Sequence, residues 1–377
     1  MAAKLEIATT THSTDEIASI VSDFTSAPLL KRTQLFGGYS GSNYRVDLVD
    51  GSTFVLKITN GYSAEHAELM CRTAYHLGEA GYKDCCLPIP KRGPLEEGAK
   101  FRFVSTKEQN NLPAFLLTYL NGRQADQVMR EQPYLATTVM SGVGGGLARM
   151  HTAVTVSSKD EAEKLGLRWY AKDGGCCDVQ DQVDGKVLAT ILSCKEVLEH
   201  NFVQHFYGSE LTALRVEMQL AKEGKLDLGI THGDPFADNV LVNSETGKLS
   251  ALIDIEDFCV GPLLFDLACC AVGSCFKESP TLNGEHNQVL DMPLLEAFLK
   301  GYCADRKLPQ LEKDHFVPFM RLTLLCNCCW RFIKFNVQSR DAPEEARNSY
   351  LELQRRIEYL KDPVIAQDIN KLLEEHA

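Results

Sequence analysis

Asp234, Asn239 and Asp254 are the residues of this 377-residue chain whose types and spacing could do chemistry together. The first two lie in T-H-G-D-P-F-A-D-N-V-L-V, from Thr231 to Val242, and the third in I-D-I-E-D, from Ile253 to Asp257. Phosphoryl transfer from a metal–nucleotide requires one carboxylate to orient and deprotonate an attacking hydroxyl. It also requires an amide oxygen and a second carboxylate to hold Mg²⁺ against the phosphates. The apolar runs Val240-Leu241-Val242 and Ala251-Leu252-Ile253 flank Asn243-Ser244-Glu245-Thr246-Gly247 and predict a hairpin. A hairpin brings its ends together, so Asn239 and Asp254 are expected to face one ion, with Asp234 beside them as the general base. Taken singly, each has a plainer reading: an Asp in a Gly-Asp-Pro turn, a turn-capping Asn, an Asp at a strand end. Glu256 and Asp257 could bind a second ion or a substrate amine, or be solvated turn acids.

Other elements must bring a phosphate donor to these groups. Ser13-Thr14-Asp15-Glu16 is a capping-box pattern ahead of Ile17, Ile20, Val21 and Phe24 at helical spacing, which predicts a short N-terminal helix. Residues 44–49 and 53–58 flank Asp50-Gly51, a tight-turn signal, and predict a hairpin whose second strand carries Lys57. The segment before it, F-G-G-Y-S-G-S-N from Phe36 to Asn43, has glycines that permit close backbone approach to a ligand. Ser42 and Asn43 are expected to offer backbone N–H groups to phosphates. Residues 63–80 have a helical pattern, and two more strands are expected at 101–105 and 114–120. Beyond them the chain is expected to be mainly helical, with a loop or insertion over 156–180 and a charged helical tail over 342–376 broken at Asp362-Pro363.

H-G-D-x-x-x-x-N followed by I-D-x-x-D, with Gly261-Pro262-Leu263-Leu264-Phe265-Asp266-Leu267-Ala268 after it, resembles the aminoglycoside phosphotransferase and choline kinase superfamily. The resemblance runs over about residues 30 to 335 and is closest to the amino-acid branch, homoserine kinase of the second type and hydroxylysine kinase. It implies an α+β, bilobal, protein-kinase-like fold. A small β-rich N-lobe would occupy residues 1–118, a larger helical C-lobe residues 119–377, and a hinge about 116–122. It implies ATP and Mg²⁺ as cofactors. The acceptor would be a small-molecule hydroxyl on an amino acid or amino alcohol, homoserine first, with hydroxylysine, choline, ethanolamine or an aminoglycoside as alternatives. By resemblance Asp234 is catalytic and Asn239 and Asp254 bind the metal. Lys57 reaches the α- and β-phosphates and pairs with Glu68, or failing that Glu65. Leu117 and Tyr119 lie at the nucleotide's hinge, and His232 and Asp266 support the catalytic loop. An amino-acid carboxylate would need a cation, for which Arg321 and Arg331 are candidates. His151 is expected to be a packed helical histidine.

Composition excludes several classes. A net charge of −12 argues against a nucleic-acid backbone binder. No run of eighteen apolar residues exists, so no membrane span is expected. Fourteen cysteines invite a disulfide or zinc reading, but eight stand in adjacent pairs rather than in C-x-x-C spacing, which points to reduced thiols in a cytoplasmic protein. H-R-D, D-F-G and A-P-E are absent, which disfavours a protein kinase. A non-catalytic kinase-like scaffold would be expected to lack the base, metal ligands or lysine, and candidates for all of them are present.

Overall fold

The computed structural model describes residues 11–35, 41–93, 102–169, 185–280 and 286–376. Strands β1 (Leu29–Leu35), β2 (Gly41–Leu48), β3 (Thr53–Thr59) and β4 (Ala114–Thr118) form one antiparallel sheet in sequential order. Strand alternation gives that sheet two functions. Tyr44, Val46, Leu48, Leu56, Ile58, Ala114 and Leu116 point to one face and bury against Ile17, Ile20, Val21 and Phe24 around helix α1 (Thr14–Val21). Ser13 caps α1 by accepting the Glu16 N–H at 3.1 Å. Phe115 and Leu117 project the other way, into the main core, alongside the partly buried Val55. Lys57 shares that face by alternation and register, opposite Phe115 and Asn43. Helix α2 (Ala64–Glu79), capped by Ser63, lines the same side.

Two expectations fail in this region. The strand expected over 101–105 reduces, among the described residues, to a single bridge between Ser105 and Ala114. Ser42 and Asn43 lie within β2, opposite Ile58 and Lys57, and not in a loop before it. The glycine that allows this is Gly41, where a Cβ would stand 2.1 Å from the Ile58 carbonyl oxygen. The rest of the glycine segment, 36–40, lies outside the described residues. The insertion expected over 156–180 contains a helix, Lys159–Lys164, and the part beyond 169 is not described.

The remainder is mostly helical around two small strand pairings. β7 (Val240–Val242) pairs with β8 (Leu249–Leu252) and with β5 (Arg123–Gln124), and the Asn243 side chain closes the turn by accepting the N–H groups of Glu245 and Thr246. β6 (Leu228–Thr231) pairs with β9 (Cys259–Pro262), Thr231 opposite Cys259. The two loops 232–239 and 253–258 therefore leave the same pair of ladders and face each other. Gln310–Gln338 is long and apolar enough to cross a bilayer, but 72% of its apolar window is buried in the protein interior, as in a core helix.

Beneath these loops, the helix Ala136–Ala153 lies against Met292–Asp305 at backbone contact. A Cβ at Gly144 would meet the Phe298 carbonyl oxygen at 2.1 Å, and one at Gly301 the Ser141 carbonyl oxygen at 2.1 Å. Gly144→Leu is expected to cost about 3 kcal/mol or more, because backbone cannot yield as a side chain can. Gly208→Ala, at a helical glycine with open space around it, is expected to be neutral or stabilising by about 0.5–1 kcal/mol. Urea unfolding of the two variants beside the parent measures both.

Candidate active site

The catalytic-loop candidate is held from below by one carboxylate. Asp266, fully buried on the helix Leu263–Ser274, accepts the backbone N–H of His232 at 2.8 Å and of Gly233 at 2.9 Å. It also receives the His151 ring, Nε2 to Oδ2 at 2.9 Å. The other ring nitrogen, Nδ1, lies 2.7 Å from the Tyr302 hydroxyl, to which Arg306 donates at 3.1 Å. Nε2–H therefore donates to Asp266 and Nδ1 accepts from Tyr302, a neutral tautomer, and burial holds the His151 pKa below its usual value. The expectation of a merely packed His151 is thus too modest: it is a buried link in the support of the loop.

His232 fixes the facing loop. Its ring is buried, and Nε2–H donates to the Ile253 carbonyl at 2.9 Å. Ile253 N–H in turn donates to the Asn239 carbonyl at 2.8 Å. These two bonds set Asp254 next to Asn239. Asn239 Nδ2 donates to both the carbonyl and the Oδ2 of Asp234 at 2.9 Å, which leaves Oδ1 without a protein partner among the described residues. Asp254 adopts a left-handed backbone, φ 68°, which is uncommon for a non-glycine residue and concentrated at functional sites. Gly233, at φ 83°, is where a Cβ would sit 2.5 Å from Asp257 Cβ. Asp234, Asn239 and Asp254 thus come together, with Asp257 packed against the loop.

Lys57 joins them from β3. Its Nζ lies 3.0 Å from Asp254 Oδ1 and 2.5 Å from Glu256 Oε1. This corrects the expected Lys57–Glu68 pair. Glu68 is spent elsewhere: it accepts the backbone N–H groups of Arg102 and Phe103 at 3.0 and 2.9 Å and pairs with Arg72 at 3.0 Å. A buried carboxylate with those donors has its lone pairs satisfied locally. Glu65, the fallback, is exposed. Nothing in the one-dimensional pattern separated Glu256 from its acidic neighbours. Arg321 and Arg331 are likewise committed, Arg321 to Glu210 at 2.7 Å and Arg331 to the Ser349 carbonyl at 3.0 Å. Tyr119 stacks under the Arg45 guanidinium, 4.7 Å from centroid to Cζ, beside the buried Leu117.

The electrostatics are lopsided. Burial, then the charges of Asp257, Asp238 and Asp254, push the Asp234 pKa well above the usual carboxylate value. Burial pushes Asp257 up to about 6, with Arg168 opposing and Asp254 and Glu256 adding to the rise. Burial would raise Asp254 too, but the Lys57 ammonium outweighs it and the pKa is lowered. The cluster has more carboxylate than cation, all of it hard oxygen. That donor set, with the free Asn239 Oδ1, fits Mg²⁺ coordinated by Asn239 and Asp254, and an added divalent charge would relieve the repulsion.

Comparison with known proteins follows the same lines. The model for the phosphotransferase enzyme family matches residues 31–308. The homoserine kinase of Bradyrhizobium diazoefficiens is 26% identical over 300 residues, spanning 79% of this chain and 78% of that protein. Among solved structures, an amicoumacin kinase in complex with AMP-PNP, Ca²⁺ and Ami aligns with a TM-score of 0.59 at 13% identity, covering 97% of this chain and 94% of that one. An aminoglycoside phosphotransferase from Alicyclobacillus acidocaldarius aligns with a TM-score of 0.56 at 15% identity, covering 95% and 96%. These structural likenesses establish the fold.

Two predictions follow from the support beneath the loop. Gly233→Ala adds a Cβ at a left-handed φ and against Asp257, so kcat for phosphate transfer is expected to fall at least about 100-fold, since small displacements of catalytic groups cost that much. Burial lowers the His151 pKa in the folded state, so the imidazole takes its proton more readily when unfolded, at a pKa near 6.5. The unfolded state then binds more protons, so the His151 contribution to stability is present above that pH and lost as pH falls through it. The unfolding free energy of the parent minus that of His151→Gln is expected to fall as pH drops through 6.5, with a slope of at most about 1.4 kcal/mol per pH unit. Carboxylates away from His151 cancel in this difference, and urea titrations between pH 7.5 and 5.5 measure it.

Proposed function

The chain belongs to the phosphotransferase enzyme family and is a small-molecule kinase, and on that premise we propose that it uses ATP and Mg²⁺ to phosphorylate the hydroxyl of homoserine. The observation that carries the reading is the meeting of Asp234 and Asn239 from one loop, Asp254 from a second and Lys57 from β3 at one point. The homoserine kinase likeness over most of both chains supports the acceptor, and the AMP-PNP held by the amicoumacin kinase supports an adenine nucleotide as donor.

We place the nucleotide between residues 1–118 and 119–377, with the hinge at 116–122 and Leu117 and Tyr119 beside the base. Lys57 then exchanges carboxylate partners for phosphate oxygens, which an ammonium can do as a point charge. Asn239 and Asp254 would hold Mg²⁺, whose charge stabilises the transferring phosphoryl oxygens when it is bound. Asp234 accepts the proton of the acceptor hydroxyl. Its raised pKa suits that role, because a base poised nearer the working pH takes a proton more effectively. The Asn239 amide keeps the carboxylate aimed while the hydroxyl stands in line with the phosphate. No covalent enzyme intermediate is required.

An acceptor panel at fixed MgATP tests this: homoserine, hydroxylysine, choline and kanamycin compared by kcat/KM. Homoserine is expected to lead. Absence of transfer to it would remove the acceptor assignment and leave the kinase class standing. Asp234→Asn is expected to lower kcat by about 10²–10⁴-fold, the range for loss of a general base, with KM for MgATP within a few-fold of the parent.

A further inference from the structure

We infer that Arg168 is the residue that recognises the acceptor's carboxylate, an inference that rests on the amino-acid reading above. Arg168 is 4% exposed. Its Nη1 donates to the Glu256 carbonyl at 2.7 Å, and its Nε has no acceptor among the described residues. No carboxylate of the described residues is recorded within ion-pair distance of its guanidinium. The other buried and near-buried arginines are treated differently: Arg306 pairs with Asp227 and Glu312, both at 2.8 Å, Arg321 pairs with Glu210 at 2.7 Å, and Arg356 pairs with Glu352. A guanidinium withdrawn from water with only the more distant Asp257 to offset its charge is costly, and an anion in direct contact lowers that cost.

Its position says which anion. The backbone is clamped on both sides, Arg168 N–H to Thr73 Oγ1 at 3.0 Å and Val260 N–H to the Arg168 carbonyl at 2.7 Å, so the side chain is presented from rigid elements. It reaches Glu256 from the backbone side, while Lys57 binds the Glu256 carboxylate. The two cations therefore flank one residue, with Lys57 on the proposed phosphate side. Asp257, whose charge Arg168 offsets, packs on Gly233, the neighbour of the proposed base. An anion held at Arg168, one residue's width from the loop that carries Asp234, is what an amino acid's own carboxylate supplies and an amino alcohol lacks. Arg321 and Arg331, the cations that sequence suggested, are held by Glu210 and by Ser349 and Glu352. A planar guanidinium also matches a carboxylate's two oxygens.

The test compares homoserine with 3-aminopropan-1-ol, the same molecule lacking its carboxylate, in the parent, Arg168→Gln and Arg168→Lys at fixed MgATP. The parent is expected to prefer homoserine by kcat/KM. In Arg168→Gln that preference is expected to shrink about 10–100-fold, the range for loss of a charged hydrogen bond, mainly through KM for homoserine. KM for MgATP is expected to stay within about twofold. Arg168→Lys should fall between the two, and it decides the matter alone if thermal melting shows that Arg168→Gln does not fold. An unchanged preference, or a KM for MgATP that rises in step, overturns the assignment, the latter by making Arg168 a phosphate ligand. A parent that transfers phosphate to choline or kanamycin but not to homoserine overturns the amino-acid reading itself. A parent active on homoserine whose variants keep the preference sinks only the role of Arg168.

Discussion

A carboxylate with no access to water, Asp266, sets the geometry from which the site follows. It accepts two consecutive backbone N–H groups, at His232 and Gly233, and that pair fixes the direction in which the chain enters residue 234. An ionised group in such a place must be fully hydrogen-bonded, and His151 supplies the remaining donor. Tyr302 and Arg306 then fix the His151 ring, and the glycine contact between two helices brings Tyr302 within reach. The chain of dependence runs from helix packing to a histidine tautomer to the backbone of a loop. A loop so held needs no reorganisation when substrates arrive, which is what electrostatic preorganisation requires.

Above that support the charges are deliberately unbalanced. Asp234, Asp254, Glu256 and Asp257 crowd together, and Lys57 neutralises two of them directly. The consequence is a division of labour among chemically similar groups. Asp254 stays ionised because the ammonium touches it, whereas Asp234 is pushed toward basicity by burial and by its neighbours. On the proposed function, such a split would separate a metal ligand, Asp254, from a base, Asp234. The same shortage of positive charge makes the site receptive to a divalent cation.

The two loops, the hairpin between them, the lysine strand and both flanking helices were legible in the chain, because each rests on local rules. Asp50-Gly51 demands a turn, Ser13 and Ser63 cap helices, and alternation in β2 and β3 sorts the residues onto two faces. The legibility ended where side chains choose partners across the fold. Glu68 and Glu256 are both acids within reach of helical or loop positions near Lys57, and nothing in their spacing says that Glu68 will accept two backbone N–H groups from residues 102 and 103. Ser42 and Asn43 sit in a glycine-containing segment, yet the ladder continues through them because Gly41 lets β3 approach. Arg321 and Arg331, candidate cations for an acceptor carboxylate, are held by Glu210 and by the Ser349 carbonyl.

Sequence by itself determined the kind of chemistry, since a carboxylate, an amide and a second carboxylate in that order are what phosphoryl transfer requires, and family likeness carried the same conclusion. Tertiary structure decided which acid holds the lysine, which histidine supports the loop and which buried arginine has no carboxylate in direct contact among the described residues. The physical reason is that motifs record short-range backbone geometry, whereas the pairing of buried charges depends on distances between segments up to about two hundred residues apart, as between Lys57 and Asp254.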